Sequence, residues 1–325
     1  MKKTIFITAI ILAILSVAGY CVYQALTDSA GYPTSVAFDD SKLPWIYTID
    51  EDDLLKGLDL SHHNKIVDYE RLKDMDFIFA GDLLNQCIAS AFSARGSKVP
   101  YIGLYGACST FAEAVGLSAV FADSAAKNCL AVASSHFCSA ERQYRFPLEY
   151  GGQRPPSSQW TATAAGAAIV SKGAEYPFIK AVTFGTVEDL GINDQNNMGA
   201  AMAPSAAATL SQFFRDTYTL PSDYDLIVTG DLGYVGSNLM LKLMEKEGFP
   251  LGENYNDCRL MLYEREKQQV ESGASGCGCS ASVICGKILP LLRDGTLKKV
   301  VALSTGALMS PTSVQQGETI PGVAH

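Results

Sequence analysis

The stretch ACSTFAEAVGLSAVFADSAAKNCLAVASS, residues 107–135, has a counterpart later in the chain, GCSASVICGKILPLLRDGTLKKVVALSTG at residues 278–306. Aligning the two places Cys108 over Cys279 and the apolar run CLAVASS over VVALSTG. Each stretch places a cysteine just before helically spaced apolar residues, and a short strand-like run follows. Similar stretches in the same order indicate an internal duplication.

A second pair of matching stretches supports the duplication. DFIFAGDLLNQ (76–86) matches DLIVTGDLGYV (225–235), which aligns Asp82 with Asp231. Each is an apolar run that ends in Gly-Asp-Leu, as expected of a strand buried on both faces. The sequence therefore predicts an α/β protein with mostly parallel sheets and two halves of similar order.

Composition restricts the class of protein. The chain has 325 residues and a net charge of −9, without a basic stripe, so no nucleic-acid partner is expected. Its nine cysteines lack the spacing of a disulfide scaffold, and the CGC run at 277–279 is not a usual zinc spacing. Free thiols indicate a reducing compartment for the main body.

The N-terminal sequence instead indicates a segment that enters a membrane. MKKTIFITAIILAILSVAGYCVYQALTD carries Lys2 and Lys3 and then no charge until Asp28. Such a segment is long enough to span a bilayer, so residues 1–27 are predicted to be a transmembrane anchor or signal segment. The positive-inside rule places the rest of the chain outside the cytoplasm, which conflicts with the free cysteines.

Cys108 has two possible roles. Ser109 and Thr110 are good helix-start residues, and the positive end of a helix stabilises a thiolate. The thiol could therefore be a reactive or ligand-contacting group. Alternatively, it is a small buried residue under a helix, as free cysteines commonly are.

Several long strings resemble the stage V sporulation protein AD family, thiolase-like components of the SpoVA apparatus of spore-forming Firmicutes. These strings are FAGDLLNQ, GACSTFAEAVGLSA, ASSHFCSAERQYRFPLEYGGQRPP, MGAAMAPSAA, DYDLIVTGDLGYVGS, SGCGCSA and STGALMSPTSVQQGETIPGVAH. The resemblance covers about residues 76–325. It implies a five-layered α-β-α-β-α thiolase-like fold, with an N-terminal half at 76–220 and a C-terminal half at 221–325 whose closing strand is truncated.

Residues 1–80 resemble a different family. KGLDLSHHNKIVDYERLKDMDFIFAG (56–81) is similar to the membrane-anchored start of family 25 glycoside hydrolases, and Asp59 would match an active-site aspartate. The later carboxylate run of those enzymes is absent from this sequence, so a membrane-anchored muramidase is a poor third candidate. The alternative is that this stretch, with His62 and His63, is an isolated fragment of such an enzyme, separated from the rest of the enzyme's fold. Residues 28–75 are therefore interpreted as a linker and muramidase-like fragment of a chimera.

The thiolase-like resemblance raises the question of catalysis. Cys108 occupies the position of the acyl-transfer nucleophile, which makes a ketoacyl synthase or thiolase-like acyl transferase the alternative function. The partner groups are missing, since Gly230 or Asp231 stands in place of a histidine and Cys277 in place of an asparagine. An anionic carboxylate would repel a developing oxyanion, so Cys108 is interpreted as a vestigial nucleophile and no catalytic residue is assigned.

The resemblance implies that the chain binds dipicolinic acid, with calcium, for uptake into the forespore and release at germination. A flat pyridine dicarboxylate requires cationic or N–H donors and an apolar slot. The candidate ligand-binding residues are Cys108, His136, Arg142, Tyr144, Arg145, Asp231, Cys277 and His325, with Arg154 nearby. His136 and His325 are also the groups that could restore a catalytic base.

Asp82 and Asp231 are the candidate ligands for calcium that arrives with dipicolinate, and no resident cofactor is expected. The alternative for both aspartates is a strand-end cap that pairs with nearby backbone N–H groups. Arg142 and Arg145 could likewise be structural ion-pair partners. The expected partners are other SpoVA membrane proteins and a second copy in a homodimer, at the forespore or spore inner membrane.

Overall fold

The computed structural model describes residues 34–37, 44–48, 72–138, 140–148, 152–173 and 176–325. Within these ranges no helix is both long and apolar enough to cross a membrane. The predicted anchor at 1–27 lies outside the described residues, as do Asp59, His62 and His63.

The described strands are mostly short. They are β1 Thr34–Ala37, β2 Pro44–Thr48, β3 Phe77–Asp82, β4 Tyr101–Gly103, β5 Asn128–Ser135, β6 Trp160–Thr161, β7 Ala164–Lys172, β8 Ala181–Phe184, β9 Leu226–Thr229, β10 Tyr255–Asp257, β11 Ala274–Ser275, β12 Val300–Leu303, β13 Thr305–Ala307 and β14 Gly322–Ala324. Strands alternate with helices along much of the chain, as in an α/β protein.

The described helices differ widely in length. They are α1 Ile88–Ala94, α2 Thr110–Ser124, α3 Met198–Thr217, α4 Gly233–Lys246, α5 Cys258–Leu262, α6 Arg265–Gln268, α7 Cys277–Val283, α8 Leu289–Arg293 and α9 Pro311–Gln315. A π-helical turn, Ile284–Ile288, joins α7 to α8. The longest helix, α3, begins where the Asn197 side chain accepts a hydrogen bond from the Ala200 N–H.

The first half forms a five-stranded sheet in the order β2-β7-β5-β3-β4. β3 pairs in parallel with β4 and β5, whereas β7 runs antiparallel to β5 and to β2. Both faces of β3 are covered, because Phe79 packs in one apolar cluster and Ile78 in another. This agrees with the strand type that the apolar run predicts.

The second half contains a parallel sheet in the order β10-β9-β12. Its register repeats that of the first half. Phe77 pairs with Cys129 in the first sheet, and Leu226 pairs with Val300 in the second. These are the residues that the sequence alignment superimposes, so the duplicated α/β order is confirmed, while the five-layered arrangement stays a prediction.

Three small sheets complete the described strands. β11 pairs in parallel with β6, β13 pairs with β14, and β1 pairs with β8. β1 and β2 both come from the predicted linker at 28–75, and they pair with strands of the first half.

Candidate functional site

Cys108 lies where the sequence predicts it, at the start of a helix. A short 3-10 turn, Ala107–Ser109, leads directly into α2. The Ser109 hydroxyl donates to the Gly106 carbonyl at 2.6 Å, and the Thr110 hydroxyl donates to the Ala107 carbonyl at 2.7 Å. Ala107 has a φ of 51°, an uncommon left-handed conformation for a residue with a Cβ. The tight turn thus places the thiol in the interior.

The surroundings of the Cys108 thiol oppose its ionisation. The residue is only 4% exposed, and its Sγ lies 3.7 Å from the Ser275 hydroxyl. Burial raises the pKa of the thiol well above its ordinary value, and the neighbouring Asp231 carboxylate raises it further. A nucleophilic cysteine requires the opposite shift.

Asp231 is fully buried beside that thiol, just after β9. One carboxylate oxygen accepts a hydrogen bond from the Thr305 hydroxyl at 2.8 Å, and the other lies 3.5 Å from Arg259 Nη2. Burial raises the pKa of Asp231, while the Arg259 guanidinium acts in the opposite direction. The predicted ligand-binding residue is therefore part of a buried ion pair.

Arg259 is one residue of the candidate site that sequence analysis missed. It is fully buried, and its Nη2 donates to Gln159 Oε1 at 2.7 Å. Its Nε and Nη1 have no hydrogen-bond partner among the described residues. A Cβ at Gly233 would lie 2.7 Å from Nη1, and one at Gly273 would lie 2.5 Å from Cγ. These two glycines make room for the side chain, but their spacing in the sequence does not reveal it.

A second carboxylate lies near the same guanidinium. Asp257 accepts hydrogen bonds from the Thr229 hydroxyl at 2.7 Å and from the Leu232 and Gly233 N–H groups at 3.0 Å. Burial raises its pKa to about 6, against the lowering influence of Arg259. The site therefore has two buried carboxylates around one buried guanidinium.

Asp82, the repeat partner of Asp231, has a different environment. Its carboxylate accepts hydrogen bonds from the Leu84 N–H at 2.9 Å, the Ser90 N–H at 2.8 Å and the Ser90 hydroxyl at 2.7 Å. This is the arrangement of a strand-end cap. Among the described residues there is no group of three or more His, Cys, Asp or Glu side chains that could hold a metal ion.

The Cys277 and Cys279 thiols are buried in the first turn of α7. Cys277 Sγ donates to the Ser134 carbonyl at 3.1 Å, and Cys279 Sγ points to the Gly230 carbonyl at 3.9 Å. Burial raises the pKa of both thiols well above the ordinary value. The Cys277 contact joins the two halves, whereas the Cys279 contact lies within the second half.

Tyr144 links the Cys108 region to the surface. Its hydroxyl lies 2.6 Å from that of Tyr105. Tyr144 is 4% exposed, whereas Tyr105 is 48% exposed. Burial is the main cause of a raised pKa for both phenols, and the Cys108 thiol contributes. The two phenols thus form a hydrogen-bonded pair that joins a buried to a half-exposed side chain.

His136 lies at the edge of the site, next to a buried acid. One oxygen of the Glu141 carboxylate accepts a hydrogen bond from the backbone N–H of His136 at 2.9 Å. The other oxygen lies 3.4 Å from the imidazole Nδ1 of His136. Burial raises the pKa of Glu141 to about 7. Glu141 was not singled out from the sequence, although it stands inside one of the quoted strings.

The titration of Glu141 makes a testable contribution to stability. A glutamate in an unfolded chain has a pKa of about 4.3, so the folded state binds more protons between that value and about 7. The favourable contribution is complete below about pH 4.3 and is lost as the pH rises through 7. The Glu141→Gln variant does not lose stability in this way as the pH rises. The melting temperature of the variant minus that of the parent should therefore increase by about 2–4 °C from pH ~5 to pH ~8.

Thermal melts at a series of pH values measure this difference. Glu247→Gln, at an exposed position that pairs with Arg215, is the matched control for the loss of a carboxylate. A constant difference between Glu141→Gln and the parent across this pH range would contradict the prediction.

Two of the predicted arginines are held in a layered aromatic cluster. The Arg145 guanidinium lies 4.0 Å from the ring centroid of Phe137, and that of Arg154 lies 4.1 Å from Trp160. The Phe137 and Trp160 rings are 5.5 Å apart. We call these four side chains, Arg145, Phe137, Trp160 and Arg154, the arginine–aromatic stack.

The arginines also bind backbone carbonyls. Arg145 Nη2 donates to Cys138 at 2.8 Å, and Arg154 Nη2 donates to Gln159 at 2.7 Å. Arg142 is exposed, and its Nη2 donates to the Leu148 carbonyl. Among the described residues Arg142 and Arg145 donate to carbonyl oxygens, so the ion-pair alternative for both stays a prediction.

His325 is not brought together with the other predicted residues. Its Nδ1 accepts a hydrogen bond from the Gly185 N–H at 3.3 Å, and its ring lies 6.2 Å from that of Phe184. Burial lowers its pKa to about 4. The imidazole lines an apolar groove that does not include Cys108. Its assignment to the Cys108 site stays a prediction.

The comparisons with known proteins agree on one family. The family model described as Stage V sporulation protein AD (SpoVAD) matches residues 61–325. Stage V sporulation protein AD of Bacillus subtilis (strain 168) is 46% identical over 253 residues, which cover 78% of this chain and 75% of that protein.

Solved structures are similar at lower identity. The 3-oxoacyl-[acyl-carrier-protein] synthase III from Aquifex aeolicus VF5 is 12% identical, with a TM-score of 0.48 over 87% of this chain and 97% of that one. An OleA variant from Xanthomonas campestris is 12% identical, with a TM-score of 0.49 over 78% and 74%. Similarity at this level carries no argument about function. The family match and the identity to the Bacillus protein show that this chain belongs to the stage V sporulation protein AD family.

Proposed function

We propose that the chain is a non-catalytic, dipicolinate-binding component of the SpoVA apparatus. In this role it takes calcium dipicolinate into the forespore and releases it at germination. The observation that carries the non-catalytic part is the Asp231 carboxylate beside Cys108, which together with burial raises the pKa of the thiol. A thiol in this state is a poor nucleophile but can still line a ligand site.

The arginine–aromatic stack supports the choice of ligand. Dipicolinate is flat, aromatic and doubly anionic, so it suits a partly exposed ring flanked by cations. Phe137 is 53% exposed, and the Arg145 guanidinium covers its ring. Half-exposed His136 precedes Phe137 and exposed Arg142 follows it, and both offer donors for the carboxylates.

Membrane and partner roles belong to the same proposal. Residues 1–27 would anchor the chain at the forespore or spore inner membrane, next to other SpoVA membrane proteins. A homodimer is proposed by analogy with thiolase-like proteins. Calcium would enter with dipicolinate, and the muramidase-like origin of residues 28–75 stays a prediction.

Arg142→Ala is the direct test of this site. The substitution should weaken binding of calcium dipicolinate to the full chain by about tenfold, because a charge-assisted hydrogen bond to a carboxylate contributes about 1.5–3 kcal/mol. Isothermal titration calorimetry measures the affinity. Arg215→Ala is the matched control. Arg215 is also exposed, pairs with Glu247 and lies on α3, outside this segment.

The outcomes separate the proposal from its alternative. Saturable binding to the parent that Arg142→Ala weakens would support the proposal. A folded parent that does not bind calcium dipicolinate would refute it. The acyl-transferase alternative is favoured by the position of Cys108 at a helix start, and it predicts a mass increase on Cys108 after incubation with an acyl-CoA.

A further inference from the structure

Glu141 is a fully buried carboxylate whose hydrogen bonding is incomplete. One oxygen accepts a hydrogen bond from the backbone N–H of His136, but Oε1 has no hydrogen-bond partner among the described residues. The imidazole Nδ1 of His136 is also buried without a partner, and these two atoms lie 3.4 Å apart. A proton on Oε1 would give both atoms a partner, because a carboxyl O–H donates and an imidazole nitrogen can accept.

The groups that face Glu141 offer it little positive charge. Burial is the main cause of its raised pKa, Asp82 at the end of β3 raises the pKa further, and Arg145 acts in the opposite direction. The Tyr144 phenol and the Cys277 thiol are also close. Burial is the main cause of the raised pKa of both groups, and Glu141 contributes. Both are neutral at pH ~7, so an ionised Glu141 is a buried negative charge with few cations to balance it.

Arg145 is engaged by the arginine–aromatic stack rather than by Glu141. Its guanidinium lies 4.0 Å from the ring centroid of Phe137. Its terminal nitrogens donate to the Thr161 hydroxyl at 3.3 Å and to the Cys138 carbonyl at 2.8 Å. The guanidinium is still close enough to lower the pKa of Glu141, against the larger effect of burial. An anion bound at the stack would therefore be within electrostatic reach of Glu141 and would favour its protonated form.

A proton on Glu141 would also prepare His136 for an anionic ligand. A neutral imidazole that accepts a hydrogen bond at Nδ1 carries its own hydrogen on Nε2. The His136 side chain is 38% exposed although Nδ1 is buried, so the open part of the ring lies away from Glu141. The Nε2–H group is then a donor that a ligand carboxylate can use.

We propose that Glu141 holds a proton on Oε1, shared with Nδ1 of His136, when the site binds the dipicolinate dianion, so that this ligand binds with uptake of a proton. This linkage rests on the proposed function. The proton comes from solvent, and no other covalent bond forms or breaks. In calcium dipicolinate the cation offsets both carboxylates, so this form binds without proton uptake. A rising pH therefore weakens binding of the free dianion and not of its calcium complex.

Isothermal titration calorimetry of the full chain, in buffers of different ionisation enthalpy, counts the protons. Glu141 has a pKa of about 7, and a dianion that strengthens proton binding about tenfold should bring about 0.4 proton per ligand at pH ~7. In metal-free buffer the affinity for the dianion should fall about fivefold from pH ~6 to pH ~8. With excess calcium the uptake should be below about 0.1 proton, and the affinity should change by less than about twofold.

Glu141→Gln identifies the group that takes up the proton. Glutamine keeps the shape of the side chain and supplies a permanent N–H donor for Nδ1 of His136. The variant should bind the dianion without proton uptake and, at pH ~8, about fivefold more tightly than the parent. A gain of affinity does not result from a damaged fold. Glu113→Gln is the matched control, because burial also raises the pKa of Glu113 and its Oε2 is buried without a partner. It should keep the parental proton uptake.

The outcomes separate this inference from the proposed function. Proton uptake with the dianion that calcium and Glu141→Gln each abolish would support the inference. A folded parent that binds neither form of dipicolinate would refute the proposed function and the proton linkage together. Binding of the dianion without proton uptake, or equal uptake by the parent and Glu141→Gln, would overturn the linkage alone.

Discussion

Replacing Arg259 with methionine is expected to lower the free energy of unfolding by about 3–5 kcal/mol, the largest effect predicted for this chain. Methionine keeps much of the side-chain volume but removes the guanidinium that pairs with Asp231 and lowers the pKa of Asp257. Both carboxylates are fully buried and would lose their cation, and the Gln159 amide oxygen would lose its donor. An uncompensated buried charge is far more costly than a lost surface pair.

Urea unfolding curves at neutral pH measure this change. Arg215→Met is the matched control, because Arg215 pairs with Glu247 at 2.8 Å but both side chains are nearly half exposed. Arg215→Met should lower the free energy of unfolding by less than about 1 kcal/mol. Equal midpoints for the two variants would show that the buried guanidinium is not a major source of stability.

Gly306→Val is expected to have the second largest effect and to lower the free energy of unfolding by about 2–3 kcal/mol. A Cβ at Gly306 would overlap the Gly106 carbonyl oxygen and lie 3.3 Å from the Cys108 N–H nitrogen. The obstacle is backbone rather than a flexible side chain, so either β13 or the Cys108 turn must move. Valine favours strands, and the loss would therefore come from this contact rather than from strand propensity.

Gly286→Ala provides the control for the glycine variant. Gly286 lies in the π-helical turn, and a Cβ there would meet no atom within 4 Å. Alanine favours helical conformations, so this variant should be neutral or more stable by up to about 1 kcal/mol. A Gly306→Val protein as stable as the parent would show that the two halves do not pack tightly at the Cys108 turn.

The internal repeat made much of the fold predictable. The alignment of Asp82 with Asp231 and of Cys108 with Cys279 agrees with the structure, since Phe77 and Cys129 pair as Leu226 and Val300 do. The position of Cys108 before a helix followed from the local preferences of the residues after it. Such features depend on short stretches and on their repetition, both of which are visible in one sequence.

The electrostatics of the site could not be predicted in the same way. Arg259 is a residue type that is rarely buried, and its burial depends on Gly233, Gly273 and Asp231, which come from separate stretches. Asp82 and Asp231 look alike in sequence, yet one caps backbone N–H groups and the other pairs with a guanidinium. The two aspartates differ because Arg259, which pairs with Asp231, lies outside the matched stretches.

His325 shows the limit of reasoning from residue type. A histidine that could act as a base was assigned to the Cys108 site, but the pairing of β13 with β14 directs it into the groove. Likewise β1 and β2 join the first half through pairing partners far along the chain, which no local pattern indicates.

The outer strand of the first sheet has a consequence for the order of folding. Thr48 of β2 pairs with Ala168 of β7, and closing a loop of this length costs about 4 kcal/mol of chain entropy. β2 leaves the ribosome long before its partner is made. Until β7 has been made, β2 has no strand to join, so the first sheet is completed late and non-local pairing slows folding. During synthesis, β2 is therefore a segment open to capture by chaperones.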